Sequence, residues 1–202
     1  MVTARLVLVR HGGTEWTETE RHTGRTDITL SAEGRRQADA LGRRLRGMAF
    51  ALVLTSPLAR ALETCRRAGL GDAAEPCPDA QEWDYGAYEG WTSARIHEAD
   101  PDWSLWTAGA PDGESPAAVG ARADRVLARV RPVAGDTILF AHGHFLRVLA
   151  ARWLELAPSA GALFALSPAA LCVLGYEHDL PVVWDWNDRA HLGGQYSSSG
   201  QR

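Results

Sequence analysis

The chain has 202 residues, a formal net charge of -4 and ordinary globular shares of hydrophobic (46%) and charged (23%) residues, which suits one domain with a substantial core. All 21 basic residues are arginine; a P-loop needs its lysine and Schiff-base chemistry needs an amine, so both classes are excluded. The negative balance and the lack of a basic stripe argue against a nucleic-acid partner, but a pocket can be positive within a negative whole, so a small anionic ligand stays open.

In chain order, the apolar run 6–9 reads as a buried strand. It leads through a polar loop to "SAEGRRQADALGRRLRG", a helix that Ser31 can cap, with Ala38, Leu41 and Leu45 on one face. A second strand at 51–54 runs into "TSPLARALETCRRAG", where the pattern predicts Ser56 as N-cap and Pro57 at the first helical position. Residues 83–113 differ, with Trp83, Tyr85, Tyr88, Trp91, Trp103 and Trp106 among several Gly and Pro residues. This stretch is expected to be a lid-like excursion over the site, with a short helix near 92–99. "GESPAAVGARADRVLARVRP" repeats the capping device with Ser115 and Pro116, and Val119, Val126, Leu127 and Val130 form its stripe. The third strand, 137–141, passes into the helix "AHGHFLRVLAARWLEL". The β-rich stretches 170–176 and 181–186 complete or edge the sheet, and "GGQYSSSGQR" at 193–202 reads as a disordered tail.

Strands alternating with helices predict an α/β fold, a three-layer open and mainly parallel sheet flanked by helices, in one domain over 1–192. Cys65, Cys77 and Cys172 are scattered and form no C-x-x-C pair, which points to reduced thiols in a cytoplasmic protein. No apolar run approaches the ~20 residues of a membrane span, and the first is too short for a signal peptide, so no membrane partner is expected. The patterning leaves the oligomeric state undetermined.

Open α/β sheets bind ligands at the carboxyl ends of their strands. Arg10 and His11 end the first strand, His142 ends "TILFAH", and Arg60 lies in the first turn after "LVLTSP". Two guanidinium forks and two ring nitrogens converging there would suit a tetrahedral dianion such as phosphate. Gly12 and Gly13 let the backbone come close, and Thr14, Thr17 and Thr23 offer hydroxyls. His142 and His144 have an i, i+2 spacing, but no carboxylate or cysteine motif accompanies them, so no metal and no other cofactor is expected.

The pieces "VRHGGTEW", "HTGRTDITLSAEGRRQA", "TSPLARALET", "EWDYGAYEG", "GES" and "FAHGHFLR" follow one another over roughly residues 5 to 150. In these the chain resembles the histidine phosphatase superfamily, which includes the cofactor-dependent phosphoglycerate mutases, and the fold expected is therefore phosphoglycerate mutase-like. The resemblance implies that His11 is a nucleophile that becomes phosphorylated. It further implies that Arg10, Arg60 and His142 hold the phosphoryl oxygens and that Glu82 is the proton donor. Thr17, Thr23, Gly24 and Gly143 join Arg10, Arg60 and His142 as expected phosphate and substrate contacts. In this picture His142 is protonated, and burial beside Trp83 and Tyr85 favours a protonated Glu82. The chain departs from many relatives in carrying Gly13 where they have Glu or Gln.

The expected activity is a phosphatase for small phosphorylated metabolites, sugar phosphates first, since "EWDYGAYEG" and the Trp-rich stretch after it resemble the branch with acid phosphatases and sugar-bisphosphate phosphatases. The alternatives are phosphoglycerate-mutase-type transfer and a non-catalytic phospho-ligand-binding module. The short span between Glu82 and His142 disfavours the mutase, whose family usually has a longer insertion there.

Overall fold

In the computed structural model, which describes residues 4–193, the apolar runs form strands and the stretches between them form helices. The chain order is β1 (Leu6–Arg10), α1 (Glu15–Glu18), α2 (Ala32–Leu45), β2 (Leu52–Thr55), α3 (Ala59–Arg67), β3 (Ala74–Pro76), α4 (Ser93–Ala99), α5 (Leu105–Ala108), α6 (Pro116–Val130), β4 (Thr137–Ala141), α7 (Gly143–Trp153), β5 (Leu171–Glu177) and β6 (Leu180–Asp188). The tail expected at 193–202 lies outside the described residues apart from Gly193. No helix among the described residues is long and apolar enough to cross a membrane.

The six strands form one mixed sheet in the order β3-β2-β4-β1-β5-β6. The first four are mutually parallel, whereas β5 runs antiparallel to β1, and β6 antiparallel to β5. The antiparallel edge follows from its turn. His178 and Asp179 alone join the two strands, both at positive φ (47° and 67°), which is the twist a two-residue hairpin requires.

Alternation along the parallel strands builds two apolar layers. Leu6 and Leu8 face one cluster with Leu54, Leu139, Val126 and Phe145, under α6 and α7. Val7 and Val9 face the other with Leu41, Cys65, Ile138 and Phe140, under α2 and α3. This is the three-layer arrangement the patterning predicts.

The caps at Ser31 and Ser115 are formed, accepting from the amides of Gly34 and Ala118. The one at Ser56 is not. Helix α3 begins only at Ala59, and the amide of Ala59 donates to Asp27 Oδ1 at 2.7 Å. A carboxylate from a distant loop thus serves the start of α3, and Ser56 is left for another role.

Register positions the site. Arg10 pairs with Ala141 and Thr55 with Phe140, so β1, β2 and β4 end level with one another. The residues just beyond, His11, Ser56 and His142, are therefore neighbours.

Candidate active site

A cleft of about 450 Å³ opens at the carboxyl edge of the sheet. Of the expected site residues, Arg10, His11, Thr17, Thr23, Glu82 and Gly143 line it. Arg60 and His142 lie directly behind, fully buried. A groove of similar size, about 480 Å³, lies between the carboxyl ends of α2 and α3, away from all of these.

His11 Nδ1 is 2.7 Å from the Gly12 carbonyl oxygen. A carbonyl only accepts, so Nδ1 carries the proton and Nε2 keeps its lone pair. Burial, reinforced by the Arg60 and Arg10 charges, holds this imidazole well below the usual histidine range. It is an uncharged nucleophile with one open nitrogen.

His142 stands with its ring centroid 5.2 Å from that of His11. Its Nδ1 accepts from Arg60 Nε at 3.1 Å, and its Nε2 lies 2.7 Å from Ser56 Oγ. Arg60 Nε always bears its hydrogen, so His142 Nδ1 must be unprotonated. Burial, then the charge of Arg60, pushes the pKa in the same direction. This corrects the sequence expectation of a protonated His142. The imidazole is neutral, and its Nε2–H donates to the serine hydroxyl that helix α3 did not use.

The two arginines have different surroundings. Arg60 donates to the carbonyls of Thr26, Thr23 and Gly24 (3.0, 3.1 and 2.8 Å) besides His142. It holds the 23–26 loop as well as facing the site. Arg10 donates through Nη1 to the Leu166 carbonyl, while its Nε is buried without a partner. A buried, unpaired donor on a cation beside the nucleophile is what an anionic ligand would satisfy.

Glu82 is 5% exposed. Its Oε1 accepts from the amides of Trp83 (2.9 Å) and Phe145 (2.8 Å), and its Oε2 from the amide of His144 (3.0 Å). The carboxyl group thus caps the amino end of α7 and lies at the wall of the cleft. The segment carrying it is held by Arg122, which pairs with Glu114 at 2.7 Å and donates to the carbonyls of Asp79, Gln81 and Glu82.

The remaining expected contacts are engaged by the protein itself. Thr17 Oγ1 donates to the Thr14 carbonyl and accepts from the Thr14 amide, forming a capping box for α1. Thr23 Oγ1 donates to Arg21 O at 3.1 Å. The amide of Gly24 goes to the Glu89 carboxylate (2.9 and 3.0 Å), which also takes the Thr26 amide. A Cβ on Gly24 would lie 2.6 Å from Glu89 Oε2 and from Trp83 O, so glycine is required there for this packing. Gly12 also serves packing, since a Cβ there would lie 2.4 Å from the Gly34 carbonyl oxygen at the start of α2. Gly13 does not line the cleft; its amide donates to Gln37.

Sequence reasoning did not assign Ser56, Glu89, Glu114 and Arg122 these jobs, nor did it place His22, Tyr85, Ser93 and Arg147 on the cleft wall. Of the six aromatic residues in 83–113, Tyr85 alone lines the cleft; Trp83 and Trp103 are core, and Tyr88, Trp91 and Trp106 pack against it.

Comparison with known proteins agrees with this geometry. Residues 6–189 match the family model of the histidine phosphatase superfamily (branch 1). The chain belongs to that superfamily. It is 42% identical to an acid phosphatase of Mycobacterium tuberculosis over 178 residues, covering 86% of this chain and 87% of that protein. It is 32% identical to the sedoheptulose 1,7-bisphosphatase of Saccharomyces cerevisiae, covering 77% of this chain and 69% of that protein. Among solved structures, a mycobacterial glucosyl-3-phosphoglycerate phosphatase superposes with a TM-score of 0.83 at 27% identity, over 93% of this chain and all (100%) of the other. The fold is thus phosphoglycerate mutase-like, and membership marks the chain as a phosphoric monoester hydrolase.

Proposed function

We propose that the protein hydrolyses small phosphomonoesters, sugar phosphates first, through a phosphohistidine on His11. The observation that carries this reading is the open His11 Nε2 beside the buried Arg10 guanidinium with its unpaired Nε. Phosphoryl transfer asks mainly for positioning and charge neutralisation. A neutral imidazole supplies the nucleophile, and Arg10 and Arg60 supply the charge.

In the first half-reaction His11 Nε2 attacks phosphorus as the ester P–O bond breaks, and Glu82 gives a proton to the departing alkoxide. In the second, water attacks the phosphohistidine, Glu82 takes its proton, and the N–P bond breaks to release phosphate. Glu82 Oε2 is the oxygen suited to both tasks, since it holds one amide where Oε1 holds two. Neutral His142 backs the site, with its Nδ1 accepting from Arg60 and its one N–H donating to Ser56. No step requires a metal, and no group of three or more His, Cys, Asp or Glu among the described residues could hold one. The free, buried Cys65, Cys77 and Cys172 favour a reducing, cytoplasmic setting.

The test is phosphate release from p-nitrophenyl phosphate and a panel of phosphorylated metabolites, set beside the rate of phosphoglycerate isomerisation. Release should dominate. Isomerisation outpacing release would identify a mutase, and binding without either would identify a phospho-ligand module.

A further inference from the structure

The guanidinium of Arg10 makes one hydrogen bond among the described residues, from Nη1 to the Leu166 carbonyl. The direction of its unpaired Nε therefore depends on where that carbonyl stands. Leu166 lines the cleft and belongs to the loop 165–170, which leads into β5. The same loop is tied to the end of β1 by backbone. The Ala169 amide donates to the His11 carbonyl (3.0 Å), and the Arg10 amide donates to the Ala170 carbonyl (3.2 Å). One short loop thus holds the phosphoryl-binding cation and the backbone of the nucleophile.

The loop does not owe its shape to its own residues. Ala169 is fully buried at φ 56°, in the left-handed region that favours glycine. Such a conformation persists where the surroundings over-determine it. Here the surroundings are three side chains from the end of β6 and the turn after it. Trp186 Nε1 donates to the Ala165 carbonyl (2.6 Å), and Asn187 Oδ1 accepts from the Ser167 amide (2.8 Å). His191 Nε2 donates to the Ala169 carbonyl (3.0 Å), while its Nδ1 is buried without a partner.

A bulge makes this possible. Leu171 pairs with Asp188 and Val173 with Asp185, so β6 carries one residue more than β5 over this interval. Asn187 sits in it at φ 58°, with its amide on Cys172 Sγ at 3.3 Å. Consecutive residues of a regular strand point to opposite faces. Bulges re-aim side chains, and here the adjacent Trp186 and Asn187 both reach the one loop.

We propose that Trp186, Asn187 and His191 are positioning residues for phosphoryl transfer: they fix the loop 165–170, whose Leu166 carbonyl aims the Arg10 guanidinium at the phosphoryl group. None of the three lines the cleft, so they act on the reaction only through the loop. The proposal goes beyond the phosphatase reading and rests on it.

The test is a double-mutant cycle on kcat/KM for p-nitrophenyl phosphate. Asn187→Gly accepts the positive φ but leaves the Ser167 amide without its acceptor. It should lower kcat/KM by up to ~10²-fold, the scale of a ~1 Å misplacement at a reacting centre. Asn187→Asp keeps an acceptor oxygen and should stay near the wild-type rate. In an Arg10→Ala background there is no guanidinium left to aim, so Asn187→Gly should then cost much less. Trp186→Phe, which can keep its ring on Phe164 but loses the Nε1 hydrogen, enters the same cycle should Asn187→Gly not fold. No loss in the wild-type background, an equal factor in both backgrounds, or an Asp variant as impaired as the Gly variant overturns the proposal. Failure of the phosphatase reading would look different, because the wild type itself would then release no phosphate in a His11-dependent way.

Discussion

Glu82→Gln separates the chemical task of this side chain from its structural one. The carboxylate accepts three backbone amides, two on Oε1 and one on Oε2. Glutamine has one acceptor oxygen, so in its better orientation it keeps Trp83 and Phe145 and turns an NH2 toward the His144 amide. The minimum loss is one hydrogen bond to a charged group, ~1.5–3 kcal/mol. For a chain of this size that lowers Tm by about 3–12 °C, which leaves a folded protein at assay temperature. The kinetic loss is separate. A sugar alkoxide needs a proton to leave, whereas p-nitrophenolate leaves nearly unaided, so phosphoenzyme formation from a sugar phosphate should slow by ~10²–10⁴-fold and from p-nitrophenyl phosphate by far less. The pre-steady-state burst is the quantity to compare, because the same carboxyl group activates water and dephosphorylation slows with either substrate. Equal burst losses would refute the proton-donor role. Glu89 would not inherit it, since its carboxylate holds the Gly24 and Thr26 amides and does not line the cleft.

Stability should fall in mild acid: burial lowers His22 from 6.5 to about 4, so between these values the unfolded chain binds a proton the native one does not. The contribution is intact above pH 6.5 and is lost as pH falls toward 4, by roughly 3 kcal/mol at the limit; a Tm that stays flat over that range would contradict this. Gly24→Ala should reduce both Tm and turnover, because its Cβ would lie 2.6 Å from Glu89 Oε2 and Trp83 O and so displace the loop that Arg60 holds; thermal melts and steady-state rates with unchanged values would show the loop to be adaptable. A chelator should leave the rate unchanged while vanadate, which adopts trigonal-bipyramidal geometry, inhibits; activity lost to the chelator and restored by added metal would point to different chemistry.

The site was legible where local pattern and sheet topology agree. Apolar runs that end in Arg10-His11 and in His142 announce strand ends, and parallel pairing brings such ends together. Less legible was whatever depends on partners distant in sequence. Ser56 fits the serine-proline cap pattern, but Asp27 satisfies the start of α3 and releases Ser56 to His142. Gly12 and Gly24 have the look of phosphate-loop glycines, yet their lack of a Cβ accommodates α2 and Glu89 respectively. The charge on His142 depends on the direction of one Arg60 hydrogen bond, which no spacing in the sequence encodes. Arg122, on a helix whose other arginines face solvent, acquires its role only by reaching Glu114 and the carbonyls behind Glu82.

The central claim is that His11 Nε2 carries the phosphoryl group. Brief incubation with labelled substrate, followed by quenching in base, should trap a phosphoprotein that is stable to alkali and labile to acid. His11→Ala should trap none and should lose turnover while keeping the wild-type circular dichroism spectrum. An alanine variant that retains full activity, or a label that survives acid as a hydroxyl phosphoester would, contradicts the account.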